Sequence, residues 1–256
     1  MDILLVVLIG LVFGSFGNVC IYRIPKGLSI FNPARSFCPV CRSTLKWYDN
    51  IPLLSYIFLK ARCRDCGARI SARYPLIEII TAVVFLAVYL KLGGLSFALP
   101  FWWLFAWTLV VSSAIDIELR IIPDIFTVGL CAAGLLFSPF NGILMPHGIS
   151  DFFNIKRFIF SLAGALGGLV MGTGVAWFGE KIFKKESFGG ADIKLLAAFG
   201  AWLGFAGSFW SLFAASFIGS VISVVLIILK KISPQDYVPF GPYLAAGALL
   251  AVLVFL

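Results

Sequence analysis

The chain has 256 residues, of which 61% are hydrophobic and only 12% are charged, and it carries a formal net charge of +8 at pH 7. Its mean hydropathy is +1.03. These values lie far outside the range of water-soluble domains, so they exclude a soluble globular protein and indicate a polytopic membrane protein.

Eight apolar stretches are long enough to be candidate membrane spans. We expect helices, because backbone groups find no water in hydrocarbon and no alternating strand pattern competes. The predicted fold class is therefore an all-α polytopic membrane protein with about eight transmembrane helices, of which the fourth and sixth are short. The predicted spans are Leu4–Tyr22, Leu76–Leu92, Phe97–Ile115, Ile125–Phe140, Phe158–Phe178, Ile193–Phe205, Phe209–Leu229 and Phe240–Leu256.

The basic residues predict the orientation of these spans. If the N-terminus lies outside, the cytoplasmic loops, counted with Lys194, hold 17 of the 20 lysines and arginines. The positive-inside rule therefore predicts that both termini lie outside. A cleaved signal peptide is the alternative for the first span, but the sequence lacks a basic start and a small-residue cleavage site, so we interpret the span as a helix.

The first predicted helix carries Gly10 and Gly14 at a spacing of four residues. Small residues spaced in this way let helices approach closely in lipid. A nucleotide-binding loop is the weaker interpretation of the glycines from Gly14 onward, because no strand or βαβ unit precedes them.

The segment from Arg23 to Arg73 contains two cysteine pairs, Cys38 with Cys41 and Cys63 with Cys66, separated by 21 residues. Four thiolates in two close pairs can surround a zinc ion, and such a closed site holds a loop together rather than performing chemistry. Disulfides are the alternative, but thiols on the cytoplasmic side are kept reduced. We therefore predict a zinc-stabilised cytoplasmic loop domain between the first and second helices.

The same segment holds ten basic and two acidic residues. A positive loop beside a membrane is typical of contact with anionic lipid headgroups. Nothing in it resembles a module that reads a nucleic-acid groove, so we expect membrane lipids and no nucleic acid as partners.

Three further charged residues have open interpretations. Glu78 lies shortly after Pro75, where a carboxylate in the first helical turn complements the helix dipole, and a binding role is the alternative. Asp124 follows Pro123 and is either a second candidate acid or the cap of the next helix. Lys194 is expected to reach headgroups or substrate.

Two acids lie at the boundaries of predicted membrane helices, where burying a charged carboxylate costs free energy. Asp116 ends an apolar helix, and Asp192 begins one after Gly189 and Gly190. Acids at a membrane boundary are functional candidates by default. If the two meet, one holds a proton that the other lacks, so the charged acid can take a proton from water while the neutral acid polarises a peptide carbonyl. An ordinary ion pair between Asp116 and Arg120 is the alternative.

Ordered sequence blocks cover nearly the whole chain. They are Gly14-Ser15-Phe16-Gly17-Asn18-Val19 through Tyr22-Arg23, both cysteine pairs, Trp47-Tyr48-Asp49-Asn50-Ile51-Pro52, Arg73-Tyr74-Pro75 with Glu78, Asp116 through Pro123-Asp124, Gly189 to Lys194, and Pro239-Phe240-Gly241-Pro242. With these blocks the chain resembles the type IV prepilin peptidases, which are membrane aspartic proteases of the GxGD type. The motif departs from the family's pattern at one position, because Ala191 replaces its second glycine.

The resemblance implies an enzyme of the bacterial inner membrane with two activities. It would cleave the basic leader of type IV prepilins or type II secretion pseudopilins on the cytoplasmic side and then N-methylate the new terminus with S-adenosylmethionine. The catalytic aspartates carry over to Asp116 and Asp192. The retained loop with four cysteines favours the bifunctional form. Candidate substrate-binding residues are Gly189, Gly190, Lys194 and Glu78.

We divide the chain into a first helix (residues 1–22), the zinc loop domain (23–73) and a transmembrane peptidase core (74–256). Two other classes remain possible on the residues alone. An ion-coupled transporter would place its acids near the midplane within an internal repeat, and neither feature is visible. A zinc-stabilised membrane scaffold would need no acid pair.

Overall fold

The structure is a computed structural model that describes residues 2–144, 153–184, 188–233 and 238–255. Helices dominate these ranges, which contain no β-sheet and only two isolated β-bridges. The α-helices are α1 (Asp2–Arg23), α2 (Leu54–Phe58), α3 (Arg73–Lys91), α4 (Leu99–Leu119), α5 (Asp124–Phe137), α6 (Ile155–Phe183), α7 (Gly190–Ile228) and α8 (Gly241–Phe255).

The helices confirm the predicted all-α membrane fold. Five of them, α1, α3, α4, α6 and α7, are long and apolar enough to cross a membrane, and α5 and α8 are shorter apolar helices. The predicted sixth and seventh spans form one element, α7, which is interrupted at Gly204 with φ 73° and ψ 177°. Essentially only glycine adopts this backbone conformation, so Gly204 explains where the two helical segments meet.

The chain forms two compact units, Met1–Ile115 and Asp116–Leu256. In the first unit, α1 and α3 pack backbone to backbone. A Cβ atom on Gly10 would lie 2.5 Å from the Cα of Ala82, and one on Gly14 would lie 2.5 Å from the Cα of Glu78. Any side chain at these glycines would push the helices apart, so the predicted close contact is confirmed.

The loop of the first unit begins around the buried side chain of Arg23. The Arg23 guanidinium donates hydrogen bonds of 2.8 to 3.2 Å to four backbone carbonyls. Its central carbon lies over the ring of Phe37, 5.6 Å from the centroid. Several donors in one planar group suit such a cluster of carbonyls. Arg23 therefore fixes the path of the chain from α1 towards the first cysteine pair.

The second unit is built around α7, against which α5, α6 and α8 pack. The backbones of α6 and α7 touch at Gly164 and Gly200, where a Cβ on either glycine would overlap the other's carbonyl oxygen. On the α5 side, the indole of the fully buried Trp202 donates a 2.8 Å hydrogen bond to the carbonyl of Leu130. These contacts hold the start of α7, and with it Asp192, in a fixed place.

Candidate active site and metal centre

Asp116 lies near the end of α4 and is only 5% exposed. Its Oδ2 accepts a 3.1 Å hydrogen bond from the backbone N–H of Gly241, the first residue of α8. A Cβ on Gly241 would lie 2.6 Å from Oδ2 and 2.8 Å from Ile122. Glycine is therefore the one residue type that lets the start of α8 approach this carboxylate so closely.

Asp192 lies in the first turn of α7 and is 6% exposed. Its carboxylate lies against Gly189, the N-cap of the helix, where a Cβ would be 3.1 Å from Oδ2. A Cβ on Gly190 would meet nothing within 4 Å. The side chain of Ala191, the residue that departs from the GxGD pattern, is partly exposed and does not displace Asp192.

Both acids belong to the second unit, and their carboxylates interact electrostatically. Two carboxylates that meet in a poorly solvated place repel strongly when both are charged, and sharing one proton would relieve that repulsion. One carboxylate is then available as a general base and the other as a general acid. The protonation behaviour belongs to the pair as a whole.

An aromatic contact joins the start of α7, which carries Asp192, to the start of α8, which donates a hydrogen bond to Asp116. Phe188 precedes Gly189 at the start of α7, and Phe240 precedes Gly241 at the start of α8. Their rings meet edge to face with centroids 5.6 Å apart, a favourable geometry for aromatic side chains. The contact ties the backbone on which Asp192 rests to the backbone that donates to Asp116.

The four cysteines of the loop form a single cluster in the first unit. The Sγ atoms of Cys38, Cys41, Cys63 and Cys66 all lie within 4.8 Å of one another. The distances are 3.9 Å from Cys38 to Cys66 and 4.0 Å from Cys41 to Cys63. A zinc ion with Zn–S bonds of about 2.3 Å places its sulfurs roughly 3.8 Å apart, so the cluster has the size of a tetrahedral metal site. No described cysteine is in a disulfide.

Hydrogen bonds prepare two of these thiols for metal binding. Hydrogen bonds from the Ser43 side chain, 3.0 Å from the Cys41 sulfur, and from the Ser43 backbone lower the pKa of Cys41 to about 6. Backbone N–H groups of Cys66 and Asp65 lower the pKa of Cys63. The thiolate is the form that binds metals, so the cluster can hold a metal ion.

Two family models match consecutive parts of the chain. The Bacterial Peptidase A24 N-terminal domain matches residues 8–92, and the Type IV leader peptidase family matches residues 103–224. A prepilin leader peptidase/N-methyltransferase of Aeromonas hydrophila is 36% identical to this chain. The match covers 97% of this chain and 89% of the relative. The chain belongs to the type IV leader peptidase family.

Other members of the type IV leader peptidase family match similarly. One relative, from Escherichia coli O78:H11, is named type 4 prepilin-like proteins leader peptide-processing enzyme. It is 34% identical over 95% of this chain and 90% of its own length. A prepilin leader peptidase/N-methyltransferase of Klebsiella pneumoniae is 40% identical over 76% of this chain and 82% of its own length. No solved structure matches the chain. The family resemblance seen in the sequence is thus confirmed.

One contact joins Asp124 and Lys194, and the role of Asp124 as a second candidate acid stays a prediction. The Lys194 ammonium donates a 2.6 Å hydrogen bond to Asp124 Oδ1, and both side chains are solvent-exposed. The cap of α5 is Pro123, so the Asp124 carboxylate binds a lysine instead of capping the helix. Whether Lys194 also contacts leader-peptidase substrates stays a prediction.

Glu78 is 6% exposed, and its Oε2 accepts a 2.8 Å hydrogen bond from the backbone N–H of Leu53. The expectation that Glu78 lies in the first helical turn was wrong, because α3 begins at Arg73 and places Pro75, not Glu78, within that turn. Leu53 has φ 59° and ψ −49°, and Leu54 N–H donates to the carbonyl of Pro52. This is a strained γ-turn, so Glu78 holds an unusual loop backbone against α3.

The interpretation of Asp116 as half of a helical ion pair required α4 to continue for another turn. Instead α4 ends at Leu119, and Arg120 adopts the left-handed φ of 56°. The backbone N–H of Arg120 donates to the carbonyl of Asp116, which closes the helix. The Asp116 carboxylate accepts a hydrogen bond from the Gly241 amide, and the ion pair with Arg120 stays a prediction.

Sequence reasoning named Gly241 only as part of a family block and missed its contact with Asp116. The available clue was Pro242, because proline near the first position of a helix marks a helix start, and helix starts bind negative charge. The partner acid, 125 residues away in the sequence, carried no such clue.

Proposed function

We propose that this chain is a membrane aspartic endopeptidase that removes the leader of type IV prepilins or type II secretion pseudopilins, and that it also N-methylates the new terminus. The observation that carries the proposal is that Asp116 and Asp192 are both buried in the second unit and that each carboxylate lies against a glycine backbone. The printed names of the relatives, leader peptidase and N-methyltransferase, support both activities.

Hydrolysis follows from a pair that shares one proton. The ionised carboxylate takes a proton from water as the water oxygen bonds to the carbonyl carbon, while the protonated carboxyl gives its proton to the carbonyl oxygen. When the resulting gem-diol collapses, the C–N bond breaks and the nitrogen receives the proton first taken from water. A gem-diol hydroxyl returns a proton to the other carboxylate, so both acids regain their starting states.

Zinc is the metal proposed for the cluster of Cys38, Cys41, Cys63 and Cys66. Four sulfur donors at tetrahedral spacing leave no open position for water, so the ion would be structural. It would add stability to a loop that is too small to fold on its own apolar core.

S-adenosylmethionine is the methyl donor that the proposal implies, and it would supply an electrophilic methyl group to the newly formed amine. The described residues contain no β-sheet, so a glycine loop of the Rossmann type is not available among them. We therefore place no residue of this chain at the donor and derive no step through it.

The proposal sets the enzyme in the bacterial inner membrane with both termini outside and the acids at the cytoplasmic face. The asymmetry of basic residues supports this orientation. The proposal also keeps the predicted division of the chain into a first helix (1–22), a zinc loop (23–73) and a peptidase core (74–256). Prepilins or pseudopilins and membrane lipids are the proposed partners, without nucleic acid.

The experiment is a leader-cleavage assay with purified protein and a prepilin, comparing wild type with Asp116→Asn and Asp192→Asn. Each change removes a proton-transfer group while keeping the side-chain size, so we expect cleavage to fall by about 10²–10⁴-fold. Asp2→Asn is the matched control, since Asp2 is an exposed aspartate at the start of α1, outside both candidate centres, and should retain wild-type cleavage.

Undiminished cleavage by both active-site variants would refute the peptidase assignment. It would leave the transporter and scaffold classes to be tested. Loss of cleavage in the Asp2→Asn control as well would show that the assay reports a general effect of charge.

A further inference from the structure

We infer that the loop between α1 and α3 carries an interfacial anchor, a patch of exposed apolar side chains in residues 47–58 that inserts among the anionic lipid headgroups around α3. The inference rests on the proposed orientation, which places this loop at the cytoplasmic leaflet. It goes beyond the proposed cleavage and methylation and depends on neither. It gives the loop a defined lipid-contacting surface and a fixed position against the bilayer.

Large apolar side chains are exposed along this segment. Trp47 is 80% exposed and Phe58 is 79% exposed, and Leu54 and Ile57 are exposed as well. The last three lie at i, i+3 and i+4 of α2, so they share one face of that helix. Single exposed apolar side chains are ordinary, whereas a group of them indicates a surface that contacts something apolar. We call these four side chains the apolar patch.

The two parts of the apolar patch belong to one piece of structure. Its tryptophan begins a 3₁₀ turn, Trp47–Asn50, and its other members lie in α2. The hydroxyl of Ser55 in α2 lies 3.1 Å from the carbonyl oxygen of Tyr48 and 2.6 Å from that of Ile51. A single buried-side hydroxyl thus ties the 3₁₀ turn to the short helix, so the patch is presented as a unit.

Positive charge surrounds the apolar patch. Lys46 precedes it, Lys60 and Arg62 follow it, and all three are exposed. The one acid of this stretch of sequence, Asp49, accepts hydrogen bonds of 3.0 and 3.1 Å from Nε of Arg64. Aromatic side chains flanked by lysine and arginine are typical of segments that lie in the membrane interface. Anionic headgroups supply the complementary charge.

A hydrogen bond fixes the level of the apolar patch relative to a membrane helix. The backbone N–H of Leu53, directly before α2, donates a 2.8 Å hydrogen bond to Oε2 of Glu78. Glu78 lies about 8 Å along α3 from the helix start at Arg73, and α3 is long and apolar enough to span a membrane. The apolar side chains of Leu76 and Ile79 are exposed at the same level of α3. The patch therefore lies where α3 enters the bilayer.

Charge distinguishes the bilayer from a protein partner as the occupant of this surface. A second copy of the chain would bring its own basic residues against the same basic surroundings, and like charges repel. The basic leader that the family resemblance implies for the substrate would be repelled in the same way. An anionic leaflet attracts the surroundings and offers hydrocarbon to the patch at the level where the patch lies.

The first test uses Trp47 as its own reporter. Purified full-length protein is placed in nanodiscs, and the emission of Trp47→Phe is subtracted from that of wild type. We expect the difference, which belongs to Trp47, to be quenched by lipids brominated near the headgroup and shielded from acrylamide, a neutral aqueous quencher. Quenching by acrylamide alone would overturn the inference, because Trp47 would face water. Shielding from both quenchers would overturn it in favour of a protein partner.

The control for this subtraction is Trp102→Phe. Trp102 is fully buried in α4, so its difference emission should be shielded from both quenchers and shows how an indole covered by protein behaves. Trp47 is exposed, so its replacement by phenylalanine leaves the packed interior unchanged. Neither measurement involves leader cleavage, so failure of the inference and failure of the proposed function are distinguishable.

The second test removes the charge around the apolar patch with Lys46→Gln combined with Lys60→Gln. Each lysine near an anionic surface contributes about fivefold in affinity. The ratio of lipid-contacting to water-exposed Trp47 should therefore fall roughly 25-fold in anionic nanodiscs and little in zwitterionic ones. Lys91→Gln is the matched control, since Lys91 is exposed at the other end of α3 and should change nothing. An unchanged ratio in the double variant would overturn the assignment to anionic headgroups.

Discussion

Left-handed backbone at ordinary residues is concentrated in the cysteine-containing loop. Lys60 has φ 50° and Ala61 has φ 56°, directly before the second cysteine pair, and Arg42 has φ 59° directly after the first. Each such residue costs about 1–2 kcal/mol relative to glycine. The loop is therefore strained at the residues that bring its cysteines together, which is consistent with a bound metal supplying the stability.

Replacing Ala61 by glycine should relieve part of this strain. We expect Ala61→Gly to stabilise the loop by about 1 kcal/mol, because glycine adopts positive φ without steric cost. Resistance of the loop to proteolysis at increasing chelator concentration measures the effect. Ala72→Gly is the control: Ala72 has an ordinary helical φ of −62°, so this change should bring no gain. Equal stabilisation by both would contradict the strain argument.

Residue identity predicted the acids and the thiols, but not the groups that hold them. A carboxylate at a membrane boundary and a pair of C-x2-C motifs are informative in isolation, since their chemistry is local. The Gly241 amide at Asp116 and the Leu53 amide at Glu78 are contacts over 125 and 25 residues. Nothing in the local pattern of a backbone amide indicates which distant carboxylate it meets.

Helix contacts in the second unit depend on bare backbone. A Cβ on Gly168 of α6 would overlap the carbonyl oxygen of Leu196 in α7, and one on Gly172 would lie 3.2 Å from the Cα of Ile193. Gly164, Gly168 and Gly172 recur every four residues, a spacing that lets helices approach closely in lipid. The contact matters for the site because Ile193 follows Asp192 directly.

Gly168→Ala should destabilise the protein by about 1–3 kcal/mol, because the methyl group must be forced between two packed backbones. Gly174→Ala in the same helix should instead be neutral or stabilising by up to about 1 kcal/mol, since alanine favours helix and the site is open. Thermal unfolding of both variants in one detergent provides the measurement. Similar melting temperatures of the two variants would contradict a close backbone contact between α6 and α7 at Gly168.

The sequence predicted which stretches are helical better than it predicted the residues at which the helices begin or break. The eight apolar stretches all became helical, since hydropathy over about 20 residues is a strong signal. The start of α3 was misplaced, because the predicted span began at Leu76 whereas the helix begins at Arg73. Gly204 was not singled out either, because a single glycine inside an apolar run does not reveal its φ.

At the scale of the whole molecule, the two candidate centres fall in different compact units. The metal cluster lies in Met1–Ile115, and both acids lie in Asp116–Leu256. The two family models divide the chain in a similar way, at residues 8–92 and 103–224. Damage to one centre should therefore affect the other less than it affects its own unit.

Cys38→Ser and Cys63→Ser test this separation. Each removes one of four sulfur donors, so bound zinc, measured by elemental analysis, should fall well below one ion per chain, and loop stability should fall with it. Leader cleavage should decline far less than in Asp116→Asn, because none of the four cluster cysteines belongs to the unit that contains the two acids. Cys20→Ser is the control, since Cys20 is a buried cysteine of α1 outside the cluster. Full zinc content in the Cys38 or Cys63 variants would reject the four-thiolate site, and cleavage lost in parallel with zinc would show that the acids depend on the loop.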